Sequence, residues 1–222
     1  MTDAETFALI RERLFTAVIG DVMDAAGLTQ QFLPPKIRAL QPDAVLVGRA
    51  MPVLEADIPP ASGNGMGEEF GLLFRALDDL KLGEVYICTG SSPLYALWGG
   101  LMSTRAAALG AVGAVVDGYH RDTREILALG FPVFSAGAYA QDQRLRGKVT
   151  DFRSAIAFRN GTKVKPGDVI VGDIDGVLVI PSEHLADIVS AALAKVDGEA
   201  NVRRMILAGD STEDVFNKTG IM

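Results

Sequence analysis

The stretch Gly113-Ala114-Val115-Val116-Asp117-Gly118-Tyr119-His120-Arg121-Asp122 decides the fold. Ala114 to Asp117 is short, apolar and bounded by glycines, which predicts a strand. The pattern repeats on either side of it. Val85 to Thr89 reads as a buried strand, and Gly100 to Leu109 as a helix rich in small residues. Thr123 to Leu129 reads as a short helix stopped by Gly130, and Pro132 to Ser135 as another strand. Strand, helix, strand, helix, strand predicts a parallel sheet segment with right-handed crossovers.

Further out the pattern changes. Ala4 to Val18 places Phe7, Ile10, Leu14 and Val18 at helical spacing, and a second short helix is expected from Asp21 to Ala26, ended by Gly27. Ala44 to Leu54 reads as a strand with Gly48 as a candidate bulge. Glu69 to Leu80 reads as helical. Val149 to Phe158 and Val169 to Ile180 read as antiparallel, with Asp173 to Gly176 as a turn. Ser182 is placed as the cap of a C-terminal helix carrying Leu185, Ile188, Ala192 and Val196 on one face. The expected architecture is one mixed α/β domain over 1–222: N-terminal helices in 4–26, a core over 44–181 and a C-terminal helix over 182–208. The Pro59 to Gly67 segment is rich in Pro and Gly. It fits neither nucleotide-binding glycine motif, so a lid or linker is the expected role.

The 222 residues are 49% hydrophobic and 22% charged, which excludes a largely disordered chain. The net charge of −7 and a single compact basic cluster, Arg144 to Lys148, argue against nucleic acid as a partner. No apolar run approaches the ~20 residues of a membrane span. One cysteine, Cys88, permits no intrachain disulfide, and Met1 to Glu5 carry no basic leader, so a cytoplasmic protein is expected.

Ligands of open parallel sheets bind beyond the carboxyl ends of the strands. The strand at 85–89 leads through Gly90 to Trp98-Gly99-Gly100-Leu101, and the strand at 114–117 leads to Arg121-Asp122. If the two strands are parallel neighbours, these segments share one edge. No side chain at 98–100 can cap the helix start, so its amides could take a carboxylate; equally, the glycines could serve only close packing. Arg121 can grip a carboxylate with two hydrogen bonds, and Asp122 suits a hard divalent cation; the pair could also be a plain surface ion pair. His120 is expected to be solvated, His184 has no role, and Cys88 is expected to be an inert core thiol. All seven lysines lie in polar connectors or helix ends, which disfavours Schiff-base chemistry and favours a metal-stabilised enolate.

These residues resemble one family. Trp98-Gly99-Gly100-Leu101-Met102-Ser103 and Gly113 to Asp122 are similar to segments of the regulator of ribonuclease activity A and the 4-hydroxy-4-methyl-2-oxoglutarate aldolases. The likeness continues in Thr16 to Asp24, Leu46 to Ala50, and Lys165-Pro166-Gly167-Asp168 through Asp175-Gly176 to Pro181. The resemblance implies a swivelling β/β/α fold assembled as a homotrimer or hexamer. It implies a lyase, an aldolase or decarboxylase, that uses Mg²⁺ or Mn²⁺ and releases pyruvate from a short 2-oxo acid such as oxaloacetate. It makes Arg121 the substrate-holding arginine, Asp122 the metal ligand and the backbone at Gly99, Gly100, Leu101 and Met102 the carboxylate seat. Glu199 would reach a metal-bound water in an adjacent subunit. Two positions depart from the aldolases: Gly100 stands where they carry an acid, and Phe70 where they carry Asn. These departures bear on hydroxymethyl-oxoglutarate cleavage, whereas oxaloacetate decarboxylation needs mainly a cation on the keto oxygen. The runner-up that the resemblance implies is a non-catalytic regulator that binds a ribonuclease.

Overall fold

The computed structural model describes residues 1–59 and 69–221, so the expected loop lies, beyond Pro59, outside the described residues. The helices are α1 (Asp3–Arg13), α2 (Thr16–Ala25), α3 (Leu73–Asp78), α4 (Gly100–Ala108), α5 (Thr123–Leu129), α6 (Leu185–Leu207) and α7 (Thr212–Thr219). The strands are β1 (Arg38–Ala39), β2 (Leu46–Asp57), β3 (Phe70–Gly71), β4 (Glu84–Thr89), β5 (Ala96–Trp98), β6 (Gly113–Val116), β7 (Tyr119–His120), β8 (Val133–Ser135), β9 (Gly147–Phe152), β10 (Ile156–Ala157), β11 (Lys163–Val164), β12 (Val169–Asp173) and β13 (Gly176–Ile180).

The main sheet runs β1-β8-β6-β4-β2-β12-β13. Its β4, β6 and β8 are parallel, as the alternation of strand and helix predicts, β2 joins them in parallel, and β12 and β13 form an antiparallel hairpin turned at Asp173–Gly176. The long β2 is shared: its start pairs with β12 and its end with β9, on the side opposite β4. The stretch before β1 joins the two ends of the sheet. Leu33 donates its amide to Val177 of β13, while Arg38 and Ala39 pair with β8. The sheet therefore curls around an interior that includes Ile37, Leu46, Val85, Ile87, Val115, Phe134 and Ile170. Alternate residues point outward. Tyr86, Cys88 and Val116 pack beneath α3, α4 and α5, and Val169, Val171 and Leu178 beneath α1, α2 and α6. Burial on both faces is why these strands read as unbroken apolar runs.

Several expectations are corrected. The helix expected over 4–18 breaks at Leu14 and Phe15, which are extended. Asp173 supplies the reason: its carboxylate accepts from both the amide and the hydroxyl of Thr16 at 2.7 Å, capping a new helix that runs to Ala25. The helix expected from Glu69 to Leu80 is confined to Leu73–Asp78, because Phe70 and Gly71 pair with β9 and both hold positive φ. The bulge lies at Leu54/Glu55. Gly48 instead permits close packing, since a Cβ there would stand 2.6 Å from the Gly83 carbonyl. The strand expected over 149–158 breaks at Arg153 (φ 59), whose guanidinium binds Asp79 and Glu84. Ser182 caps nothing; it opens a 3₁₀ turn and gives its amide to Asp168 at 3.0 Å, so the C-terminal helix starts at Leu185. Helix α7 was not foreseen, although Ser211 caps it from the Asp214 amide.

Candidate active site

Two short strands build the site. β5 pairs in parallel with β7, Trp98 opposite His120, and the Arg121 amide donates to the Trp98 carbonyl at 2.9 Å. The residues that follow, Gly99-Gly100 and Arg121-Asp122, are thereby set side by side. β4 and β6 are parallel neighbours, so both segments do leave one sheet edge.

Asp122 precedes α5 in the left-handed conformation (φ 60, ψ 37), which Asp tolerates better than most residues. Its carboxylate makes no cap for α5. It turns to the start of α4, where Oδ2 accepts from the Gly100 amide at 3.0 Å. The expectation that all the amides at 99–102 stand open is therefore corrected: Asp122 caps the helix from a distance, leaving those of Leu101 and Met102 for another anion. The close approach depends on Gly99, where a Cβ would stand 2.8 Å from Asp122 Oδ2. Over Gly100 the space of a side chain is taken by the Glu125 carboxylate.

Arg121 lies between two acids, its Nε 3.9 Å from Asp122 Oδ2 and a terminal nitrogen 3.3 Å from Asp142 Oδ1. All three side chains are more than a third exposed, so these contacts orient the guanidinium more than they stabilise the fold. Together they line a cavity of about 270 Å³. Its polar lining is Arg121, Asp122, Asp142, Gln143 and the α4 start, and its apolar lining includes Phe70, Leu73, Phe74, Leu97 and Trp98.

The sequence reading missed Asp142 and Gln143, which sit in an irregular segment with no periodic signal. It also missed Glu55, buried behind Gln143, whose amide nitrogen is 3.4 Å from Glu55 Oε2. Burial pushes the Glu55 carboxyl up to about 8, so it is protonated at neutral pH.

Other candidates fall outside the cavity. His120 is buried rather than solvated, held between Ser135 (2.7 Å) and Thr123 (3.1 Å), and burial lowers its pKa. Asp117, at the end of β6, is buried between Lys36 (2.8 Å) and Thr89 (2.7 Å). Cys88 is buried and its thiol pKa is raised by burial, as an inert core residue requires. Glu199 is half-buried on α6, which packs on α1 and α2, and it contributes nothing to this cavity within one chain. The basic cluster is partly neutralised, with Arg144 paired to Glu69 at 2.8 Å.

A divalent cation was tested against this donor set. Among the described residues no three His, Cys, Asp or Glu side chains converge on one point, so a zinc cage is not formed. A single partly exposed carboxylate beside a cavity does fit Mg²⁺ or Mn²⁺, which keep several waters and take the rest of their shell from substrate. Among the described residues no helix is long and apolar enough to cross a membrane.

The family model described as RraA-like: Aldolase/RraA matches residues 16–179. An uncharacterised protein of Methanocaldococcus jannaschii is 40% identical over 55% of this chain and 58% of its own length. The chain thus spans little more than half of that relative. A Halalkalibacterium halodurans protein named "Putative 4-hydroxy-4-methyl-2-oxoglutarate aldolase" is 32% identical over 85% of this chain and 83% of its own. The crystal structure of Streptomyces coelicolor RraAS2, described as an unusual member of the RNase ES inhibitor RraA protein family, superposes with a TM-score of 0.78. It covers 91% of this chain and 97% of that one at 22% identity, a likeness of fold alone.

Proposed function

The chain belongs to the RraA-like family, and from that premise we propose that it is a lyase cleaving a carbon–carbon bond of a 2-oxo acid, with release of pyruvate. The observation that carries this reading is the convergence of Arg121, Asp122 and the first turn of α4, with Leu101 and Met102, on one cavity. The amides and Arg121 bind the substrate carboxylate. Arg121, oriented by Asp142, also faces the negative charge that develops on the keto oxygen as the bond breaks. Asp122, fixed by the Gly100 amide, would hold Mg²⁺ or Mn²⁺, which when bound supplies Lewis-acid polarisation of the keto group. The apolar wall excludes water from the reacting carbons. The proposal includes a trimer or hexamer in which Glu199 of a second copy reaches the cavity. Nothing in the site itself favours the ribonuclease-binding alternative.

The test is pyruvate release from oxaloacetate by the purified protein with Mg²⁺ or Mn²⁺, corrected for the rate of metal alone. Saturable turnover that EDTA abolishes and added metal restores is expected. Arg121→Ala should lose about 10²–10³-fold in kcat, the usual effect of removing one charge-stabilising donor. A rate no higher than metal alone with oxaloacetate, with 4-hydroxy-4-methyl-2-oxoglutarate and with a 4-hydroxy-2-oxo acid of uncharged tail contradicts the lyase reading.

A further inference from the structure

The cavity is lined by polar groups, which the chemistry above uses to bind and react, and by a wall of Phe70, Leu73, Phe74, Leu97 and Trp98, which in that chemistry serves only to exclude water. A charged tail placed against this wall would lose its hydration with no partner in return. The wall has two further features. Phe70 holds a left-handed backbone (φ 65), which a bulky side chain adopts rarely. Backbone strain of this kind persists where the surroundings impose it, and it clusters at ligand sites. Its ring meets Phe74 edge-on, with centroids 5.3 Å apart at 60°. Phe74 is nonetheless 60% exposed, and Leu101, another lining residue, is 83% exposed. The pair thus presents an apolar, aromatic surface to whatever enters beside Arg121, and a third ring can extend its edge-to-face packing.

We propose that the cavity selects 2-oxo acids whose non-reacting end is apolar, an aromatic ring above all, with Phe70 and Phe74 as the specificity-determining pair. The reaction rests on the lyase reading; the recognition does not. A suitable substrate is 4-hydroxy-4-phenyl-2-oxobutanoate. Its C3–C4 bond breaks, the hydroxyl loses its proton as C4 becomes the carbonyl carbon of benzaldehyde, and C3 gains a proton to give pyruvate.

Binding tests the recognition separately from turnover. The intact protein with Mg²⁺ is titrated calorimetrically with phenylpyruvate, pyruvate and 2-oxoglutarate. Phenylpyruvate should bind at least about tenfold tighter than either, in the range that apolar pockets reach. Phe70→Asn, which keeps a residue that tolerates the left-handed backbone, and Phe74→Ser, at an exposed position, should each bring the ratio toward one. Equal affinities in the wild type overturn the proposal. So does an oligomer that falls apart in Phe74→Ser while phenylpyruvate shows no preference, because the wall then belongs to a subunit contact. Loss of pyruvate release from every substrate, with the binding ratio intact, contradicts the lyase reading and leaves this inference standing.

Discussion

Asp122 shows how one residue can be set by several neighbours. The left-handed backbone aims its carboxylate away from its own helix, the Gly100 amide fixes it, and Gly99 leaves it room. Glu55 makes a separate prediction at this scale. Its carboxyl titrates near the ordinary 4.5 in the unfolded chain and at about 8 when folded, with Tyr86, Cys88 and Tyr95 facing it. Between those values the folded state binds more protons than the unfolded, so stability falls as pH rises. Urea midpoints at about pH 5 and pH 8 should therefore differ in the wild type, by an amount worth a few kcal/mol, and differ less in Glu55→Gln. An identical pH slope in the two proteins would show that Glu55 is not the titrating group. Residue types told part of this in advance. An Arg-Asp pair after an apolar run marks a strand exit, whereas the burial of Glu55, between Leu54 and Ala56 in sequence, depends on the later pairing of β2 with β9.

At the scale of elements, the site exists because β5 and β7 pair over only two residues. Strands that short carry no periodicity, so the sequence placed Gly100 and Arg121 near one edge without showing what joins them. The longer parallel strands were legible, because burial on both faces leaves unbroken apolar runs. Helix ends set by distant side chains were not: Asp173 starts α2 from 157 residues away. The β5–β7 junction also explains a test by substitution. Gly99 has an extended backbone, so Gly99→Ala is unstrained in itself, but its Cβ would displace the Asp122 carboxylate. The expected outcome is a stability loss of under about 1 kcal/mol by thermal melting together with about tenfold weaker Mn²⁺ binding. Unchanged Mn²⁺ affinity would mean that the carboxylate's position does not matter.

In the whole molecule, the curled sheet and its outer helices place a cavity lined by charged and apolar side chains at one edge of the parallel segment. The fold class followed from the order of elements, and the resemblance to the RraA-like family was carried by segments from Thr16 to Pro181 that the structure brings together around one sheet. The full composition of the cavity did not follow, because Asp142 and Gln143 reach it from an irregular segment. The central claim is that Asp122 is the cation's protein ligand, and electron paramagnetic resonance titration of Mn²⁺ tests it most directly. With pyruvate present to complete the shell, one bound Mn²⁺ per chain is predicted in the wild type and none in Asp122→Ala, with both proteins equally folded by circular dichroism. Mn²⁺ retained at full affinity by Asp122→Ala would contradict the account.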